Sequence, residues 1–286
     1  MRPISTIDEV EKFIAQLEQI DATNSHTSYS FIKNILFSLT IPYPVIPLKQ
    51  GMKFCRCRLH LQNEKFFYKI EDISYRRDIM NIKVFGRANE PAQGIFYASD
   101  KQEISFIETS SIIRNNHLLP FETITMGVWE IHEPINTAII LSNNAIRGKN
   151  EVIEKLSLEF TLNTNQYGHE KTAPHIRFLD FISRCYANGD SSKYKISSAF
   201  SNYVFNKKWN NTIDNELKNV DAIVYASAMD PNGINIAIHP RAIDMGKLKL
   251  VHCRKSKMSR IEGMHYSQVD IVDCISIDNK NIIWPN

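Results

Sequence analysis

The chain has no uninterrupted run of about eighteen apolar residues, the length a membrane-crossing helix requires. Its opening residues, MRPISTIDEVEKF, lack the apolar centre of a secretory signal, so the cytoplasm is the expected compartment. No GxGxxG follows a strand-like run, and no GxxxxGK precedes a serine or threonine, which removes the motif support for Rossmann and P-loop nucleotide sites. A GxSxG elbow is missing too, with no His or Asp at a telling distance from a serine, so a hydrolase triad has no support. Cysteines number five, at 55, 57, 185, 253 and 274, an odd and scattered set that fits reduced thiols better than a disulfide framework. Cys55 and Cys57 would share one side of a strand, but no further ligand stands at metal-binding spacing, so no metal is expected.

A strong bias of charge is also lacking. A net charge of +3 with a pI near 8.5 falls short of the basic stripe that marks most nucleic-acid binders. The densest positive run, HCRKSKMSR at 252–260, has no interleaved aromatics and reads as a solvated loop or a rim that attracts an anionic ligand. Internal repeats and low-complexity tracts are absent.

What is present is ample apolar material: 286 residues at 43% hydrophobic content can form one large domain or two small ones. Residues 6–20 read as an amphipathic helix with Val10, Phe13, Ile14, Leu17 and Ile20 on one face, opened by a Thr6 and Glu9 capping box. A second helix is expected over 28–39, with Phe31, Ile32, Ile35, Leu36 and Leu39 on one side. The prolines of IPYPVIP, 41–47, end it and place a boundary near residue 50. This helix pair either packs on the main domain or offers a surface to a partner.

From Met52 the pattern is strand-like, with Cys55, Cys57 and Leu59 facing the core and Phe54, Arg56 and Arg58 on the other side. For the two arginines a solvated face is the favoured reading, and part of an anion site the second. YRRD at 75–78 reads as an exposed turn, FETITMGVWEI at 121–131 as a core strand and LSLEFTL at 156–162 as a half-buried strand. Helices are expected over 175–187 and 191–205, followed by a polar link over 206–219.

Two stretches carry candidate chemistry. In GRANEPAQGIFYASDKQEISFIE, 86–108, Arg87 lies in a loop, Tyr97 in a short buried strand and Glu108 in a helix capped by Ser99 or Asp100, continuing to about Arg114 with Ile104, Ile107 and Ile112 inward. In VDAIVYASAMDPNGINIAIHP, 220–240, two strands flank a DPNG turn, and Ser227 stands where the first gives way to loop. A serine there more often hydrogen-bonds local backbone than a ligand.

Taken in order, FCRCR, then Arg87 in GRAN, Tyr97 in FYAS, Glu108 in the next helix and Ser227 in VYASA before NIAIHP resemble the RES domain. Members of that family read like FYRAR, GRWN, VLYxS, ALxE and GIxYPS, with a turn into NLALF. The likeness covers roughly 52–250; it departs at Ala88, where tryptophan is usual, at Ala226, where proline is usual, and in a longer span between Glu108 and Ser227.

The resemblance implies an α+β fold related to ADP-ribosyltransferases: a split, mainly antiparallel sheet flanked by helices, here as a catalytic domain over 51–286 with an N-terminal helical extension over 1–50 and a largely helical insertion within about 140–215. It implies NAD+ as substrate, no permanently bound cofactor, and cleavage of the nicotinamide–ribose bond by phosphorolysis, with inorganic phosphate as co-substrate, or by hydrolysis. Family members are toxins paired with antitoxins, so a cognate antitoxin or immunity protein is an expected partner; a homo-oligomer is a further candidate partner, no membrane role is expected without a long apolar run, and nucleic-acid binding is a third reading that the mild net charge disfavours. By the same resemblance Glu108 faces the ribose, Tyr97 stacks on nicotinamide, Arg87 holds the pyrophosphate with help from Arg56 or Arg58, and Ser227 donates to a phosphate or ribose oxygen. A protein ADP-ribosyltransferase is the alternative activity. A catalytically inactive RES-like binding module is the alternative of another class, and Ala88 and Ala226 favour it.

Overall fold

The computed structural model describes residues 5–20, 26–40, 43–60, 66–115, 121–140, 169–188, 191–210, 216–230, 232–261 and 266–285. The fold is α+β, with helices flanking a large, mostly antiparallel sheet. The chain divides into two compact units, each gathered from separated stretches. The first comprises Met1–Pro47, Asp78–Gly94 and Asn136–Asn232; the second comprises Leu48–Arg77, Ile95–Ile135 and Gly233–Asn286. The first break falls between Pro47 and Leu48, and the leading helices share their unit with later parts of the chain.

In the first unit, helix α1 (Ile7–Glu18) opens with the reciprocal cap read from sequence. Glu9 N donates to Thr6 Oγ1 at 3.3 Å and Thr6 N donates to Glu9 Oε2 at 2.8 Å. Val10, Ile14 and Leu17 are buried, and the helix packs on α5 (His169–Ala187). Helix α2 (His26–Ser38) buries Ile32, Ile35 and Leu36 and packs on α6 (Tyr194–Asn206). Phe31, expected on that side, is 49% exposed, because at 100° per residue it lies at the edge of the stripe the others define. Helix α5 starts earlier than the expected 175, carries Pro174 inside, and buries Phe178, Leu179, Ile182, Cys185 and Tyr186. It packs on α6 and on strand β8 (Ala222–Ala226). Strand β8 runs parallel to β5 (Ile135–Ile140), with Thr137 opposite Ala222 and Ile140 opposite Tyr225, and β1 (Val45–Leu48) follows β5 in the order. The expected polar link over 206–219 instead holds a small hairpin, β6 (Lys208–Asn210) with β7 (Leu217–Asn219). The strand expected at 156–162 lies outside the described residues.

The second unit carries strands in the order β9 (Ile234–Ile238), β3 (Phe96–Ser99), β2 (Lys53–Leu59), β4 (Glu122–Ile131), β10 (Leu248–Arg260) and β11 (Tyr266–Asp273), each antiparallel to its neighbour. The basic run at 252–260 is therefore part of a long paired strand, not a loop: Cys253, Ser256 and Met258 are buried while His252, Arg254, Lys255 and Lys257 stay partly exposed. Trp129 and Phe96, both enclosed, meet edge to face at 4.9 Å and 74°; burying an aromatic this fully contributes about 1.5–3 kcal/mol. Helix α3 (Gln102–Thr109) lies on β2 and buries Ile104, Phe106 and Ile107. It begins later than expected and has no side-chain cap, because Asp100 Oδ1 accepts from Ile234 N at 2.9 Å and Ser99 is drawn to β9. It also stops at Ser110, whose backbone is extended, and a separate turn, α4 (Ser111–Asn115), follows. In the YRRD turn Tyr75 is buried, its hydroxyl donating to Asp244 at 2.9 Å. A last hairpin pairs β12 (Ser276–Asp278) with β13 (Asn281–Ile283).

Candidate functional site

Within the second unit, the register of β3 and β9 sets Tyr97 opposite Ala237 and Ser99 opposite Asn235. Residues directly opposite in an antiparallel pair project to the same face, so Tyr97, Ser99 and Asn235 share one. Cys55 of β2, opposite Ser99, shares that face too, and α3 covers it, with Ser105 hydrogen-bonding Cys57. From α3, Glu108 reaches down: Asn235 Nδ2 donates to Glu108 Oε1 at 2.7 Å, while Ser99 Oγ donates to Asn235 Oδ1 at 2.7 Å. Ser99 and Asn235 are buried, whereas Tyr97 and Glu108 are half-buried. The result is a relay of oriented dipoles from Ser99 through Asn235 to a carboxylate, beside an aromatic ring that reaches the surface.

Asn235 was not among the residues singled out from the sequence. Its signal was a lone amide in the otherwise apolar run INIAI, in a strand buried along its whole length. A buried amide needs partners, and here they are a hydroxyl and the candidate catalytic carboxylate.

Arg56 and Arg58 are not solvated surface residues. Arg56 Nε donates to the carbonyls of Ile73 and Ser74, both at 3.1 Å, and Nη1 to that of Tyr97 at 2.7 Å, with the guanidinium 5.2 Å from the Phe96 ring. Burial pulls its pKa down to about 10. Arg58 Nη1 donates to the Asp72 carbonyl, and its guanidinium lies 4.4 Å from the Phe67 ring. Arg56 thus ties the strand bearing Tyr97 to the turn after Ile70–Ile73, which fixes the backbone beneath the Tyr97 ring.

Arg87 and Ser227 belong to the first unit. Arg87 Nε donates to the Tyr186 carbonyl at 2.9 Å, near the end of α5, and its guanidinium lies 5.3 Å from the ring of Tyr194 at the start of α6. Its loop is stiffened by Gly86 N donating to the Asn89 carbonyl at 3.0 Å and by Gln93 Nε2 donating to Asn202 Oδ1 at 2.8 Å. Ala88, where the resembled family has tryptophan, is fully enclosed. The Tyr186 ring packs 4.8 Å from that of Tyr225 on β8, two residues before Ser227, so one aromatic links the surroundings of Arg87 and Ser227. Ser227 is buried, and its Oγ accepts from Met229 N at 3.1 Å and Asp230 N at 3.2 Å, the local backbone role common to strand-end serines.

The cysteines are free thiols, and among the described residues no group of His, Cys, Asp and Glu is placed to hold a metal ion. Burial raises the Cys55 thiol to about 11 and the Cys185 thiol to about 12, away from the range of reactive thiolates. No helix among the described residues is long and apolar enough to cross a membrane. No protein-family model matches the chain, and no curated protein matches it either.

Proposed function

We propose that the protein cleaves the nicotinamide–ribose bond of NAD+, as the resemblance to the RES domain implies. The observation that carries the reading is Glu108 held by the buried Asn235, on the face of the sheet that also presents Tyr97. In the reaction the bond between the ribose anomeric carbon and the nicotinamide nitrogen breaks, and its electron pair leaves with the now neutral nicotinamide. Positive charge develops on the sugar. A carboxylate already oriented by an amide stabilises that charge more in the transition state than in the ground state. The Tyr97 ring offers a stacking surface for the nicotinamide, holding it at a torsion suited to departure. An oxygen of phosphate, water or a protein side chain then bonds to the anomeric carbon, giving ADP-ribose 1''-phosphate, ADP-ribose or a modified protein. Arg87 and Ser227 carry the anion-holding roles that the resemblance assigns.

Incubating the purified protein with NAD+, with and without inorganic phosphate, and separating the products tests the reading. Nicotinamide release that depends on phosphate identifies phosphorolysis; release without phosphate identifies hydrolysis. Glu108→Gln is expected to lower the rate on the order of 10²–10³-fold while leaving NAD+ binding. A variant that turns over at the parent rate would remove Glu108 from the mechanism. One observation favours a second reading, an inactive binding module: Ser227 Oγ accepts two backbone N–H groups, and both strand arginines donate to carbonyls. Saturable NAD+ binding with no nicotinamide release identifies that module.

A further inference from the structure

Two of the cysteines face each other across a strand pair. Cys253 lies on β10, Cys274 directly follows β11, and the register that sets Arg254 opposite Asp273 continues by one residue to set these two opposite. The neighbouring pair holds that register through two hydrogen bonds, Arg254 Nε to Asp273 Oδ1 at 2.8 Å and Arg254 Nη2 to Asp273 Oδ2 at 3.1 Å. Cys274 N then donates to the Cys253 carbonyl at 2.9 Å, and Cys253 N donates in return to Cys274 Sγ at 3.2 Å. The Cys274 thiol is therefore folded across the strand pair onto the residue that carries the second thiol. Directly opposite residues of this kind have Cα atoms about 5.5 Å apart, inside the range of about 4.4–6.8 Å that a disulfide spans.

The two thiols differ in access. Cys253 is fully enclosed, and burial, with the neighbouring Cys274 thiol second, raises its pKa. Cys274 is only half-buried, and the chain just beyond it is open, with Ile275 at 68% exposure. A small reagent thus meets Cys274 first and reaches Cys253 through it. The other three cysteines are placed differently. Cys55 and Cys57 follow one another along β2, opposite Val128 and Met126, with Cys57 hydrogen-bonded to Ser105 of α3, and Cys185 lies in the first unit. A reachable attacking thiol backed by an enclosed resolving thiol is an arrangement suited to thiol–disulfide exchange.

We propose that Cys274 and Cys253 form a redox modification site that reacts with small aliphatic disulfides of the glutathione type and closes into a disulfide. The Cys274 thiolate attacks one sulfur of the reagent, whose S–S bond breaks and releases one thiolate. Cys253 then loses its proton and attacks the Cys274 sulfur of the mixed disulfide, releasing the second thiolate. The two protein thiols are oxidised to one disulfide, the reagent is reduced to two thiols, and the protons lost by the protein end on those thiols. The closed bond fastens the segment that leads into β12 to β10. This site takes no part in the proposed NAD+ chemistry, and NAD+ turnover plays no part in its test.

The test incubates folded full-length protein with millimolar glutathione disulfide, quenches in acid, and reads the state of every cysteine by mass spectrometry of peptides. The expected result is loss of the Cys253 and Cys274 thiols in equal amounts, as a linked pair of peptides that dithiothreitol separates, before Cys55, Cys57 or Cys185 is modified. In Cys253→Ser the reaction stops halfway, with glutathione retained on Cys274. In Cys274→Ser, a change at a half-buried position, Cys253 keeps its thiol under the same treatment, and this variant decides the order of attack if Cys253→Ser fails to fold. Glutathione that stays on Cys274 of the parent protein overturns the proposal. So does a Cys274 left unreacted, a link that forms only in urea, or a Cys253 modified as fast in Cys274→Ser as in the parent.

Discussion

Asn235 is the residue on which the candidate carboxylate depends. It donates to Glu108 and accepts from Ser99, and with 4% exposure it has no recourse to bulk water. Asn235→Ala leaves a hydroxyl and a carboxylate oxygen without these partners, at a stability cost of about 1–3 kcal/mol. It is also expected to lower kcat for NAD+ cleavage more than it raises KM, because the carboxylate loses its orientation rather than its contact with substrate. Asn235→Asp separates positioning from packing: a second carboxylate of the same shape beside the first disfavours ionisation of the pair. The acid limb of its pH–rate profile therefore moves to higher pH, and its thermal midpoint falls more at pH 8 than at pH 5, because a folded-state pKa raised by the like charge costs stability above it. A profile with an unmoved acid limb would show that Glu108 does not act as a carboxylate in the rate-limiting step.

The break between α3 and α4 has one cause, the carboxylate of Glu122 on β4. Ser110 Oγ donates to its Oε2 at 2.7 Å; Ser111 N at 2.9 Å, Ser111 Oγ and Ile112 N at 3.1 Å donate to its Oε1. A buried carboxylate that accepts from these four donors ends one helix and starts the next. Glu122→Ala is expected to cost about 2–4 kcal/mol in urea unfolding, and Glu122→Gln less than half of that, since the amide oxygen keeps the Oε1 role. Elements whose signals are local were legible in the sequence: α1 with its Thr6 cap, the inward residues of α3, and β3 and β8 around Tyr97 and Ser227. Where an element is fixed by a distant partner, the sequence misled. Asp100 looks like a helix cap until Ile234 claims it, and Arg56 looks solvated until carbonyls of 73, 74 and 97 converge on it. The charged run in β10 hid its strand for a geometric reason. Through 252–258 the strand keeps an unbroken register with β4, so Cys253 is buried on one face of the sheet and Ser256 and Met258 on the other, and burial on both faces leaves no single two-residue stripe to read. Of the candidate site, the residue types and their order were visible; the amide that orients Glu108 was visible only as an anomaly in INIAI.

At the scale of the whole molecule, acid acts on the two units through different groups. In the first unit burial holds the His175 pKa down to about 4, and its Nε2 has no hydrogen-bond partner among the described residues. The unfolded chain binds a proton near the ordinary histidine pKa of about 6.5, whereas the folded unit refuses it until about 4. Stability from this group is thus full above about 6.5 and is lost as pH falls toward 4. The second unit behaves otherwise in that window. Arg254 and His252 hold Asp273 below its ordinary value, so that contribution is lost only in stronger acid, and burial raises Asp100, which makes the folded form gain relative stability as pH falls. Buried thiols report on each unit separately: Cys185 lies in the first, Cys57 and Cys253 in the second. Labelling with 4,4'-dithiodipyridine, which reacts in acid, followed by mass spectrometry of peptides, reads them in one experiment. At pH 7.5 all three are expected to label slowly, because burial disfavours each thiolate and blocks access. At pH 5 Cys185 should label faster while Cys57 and Cys253 do not, and His175→Gln should remove most of the difference between the two pH values. Equal acceleration of all three thiols would mean that the units open together and that His175 does not set the acid response of the first.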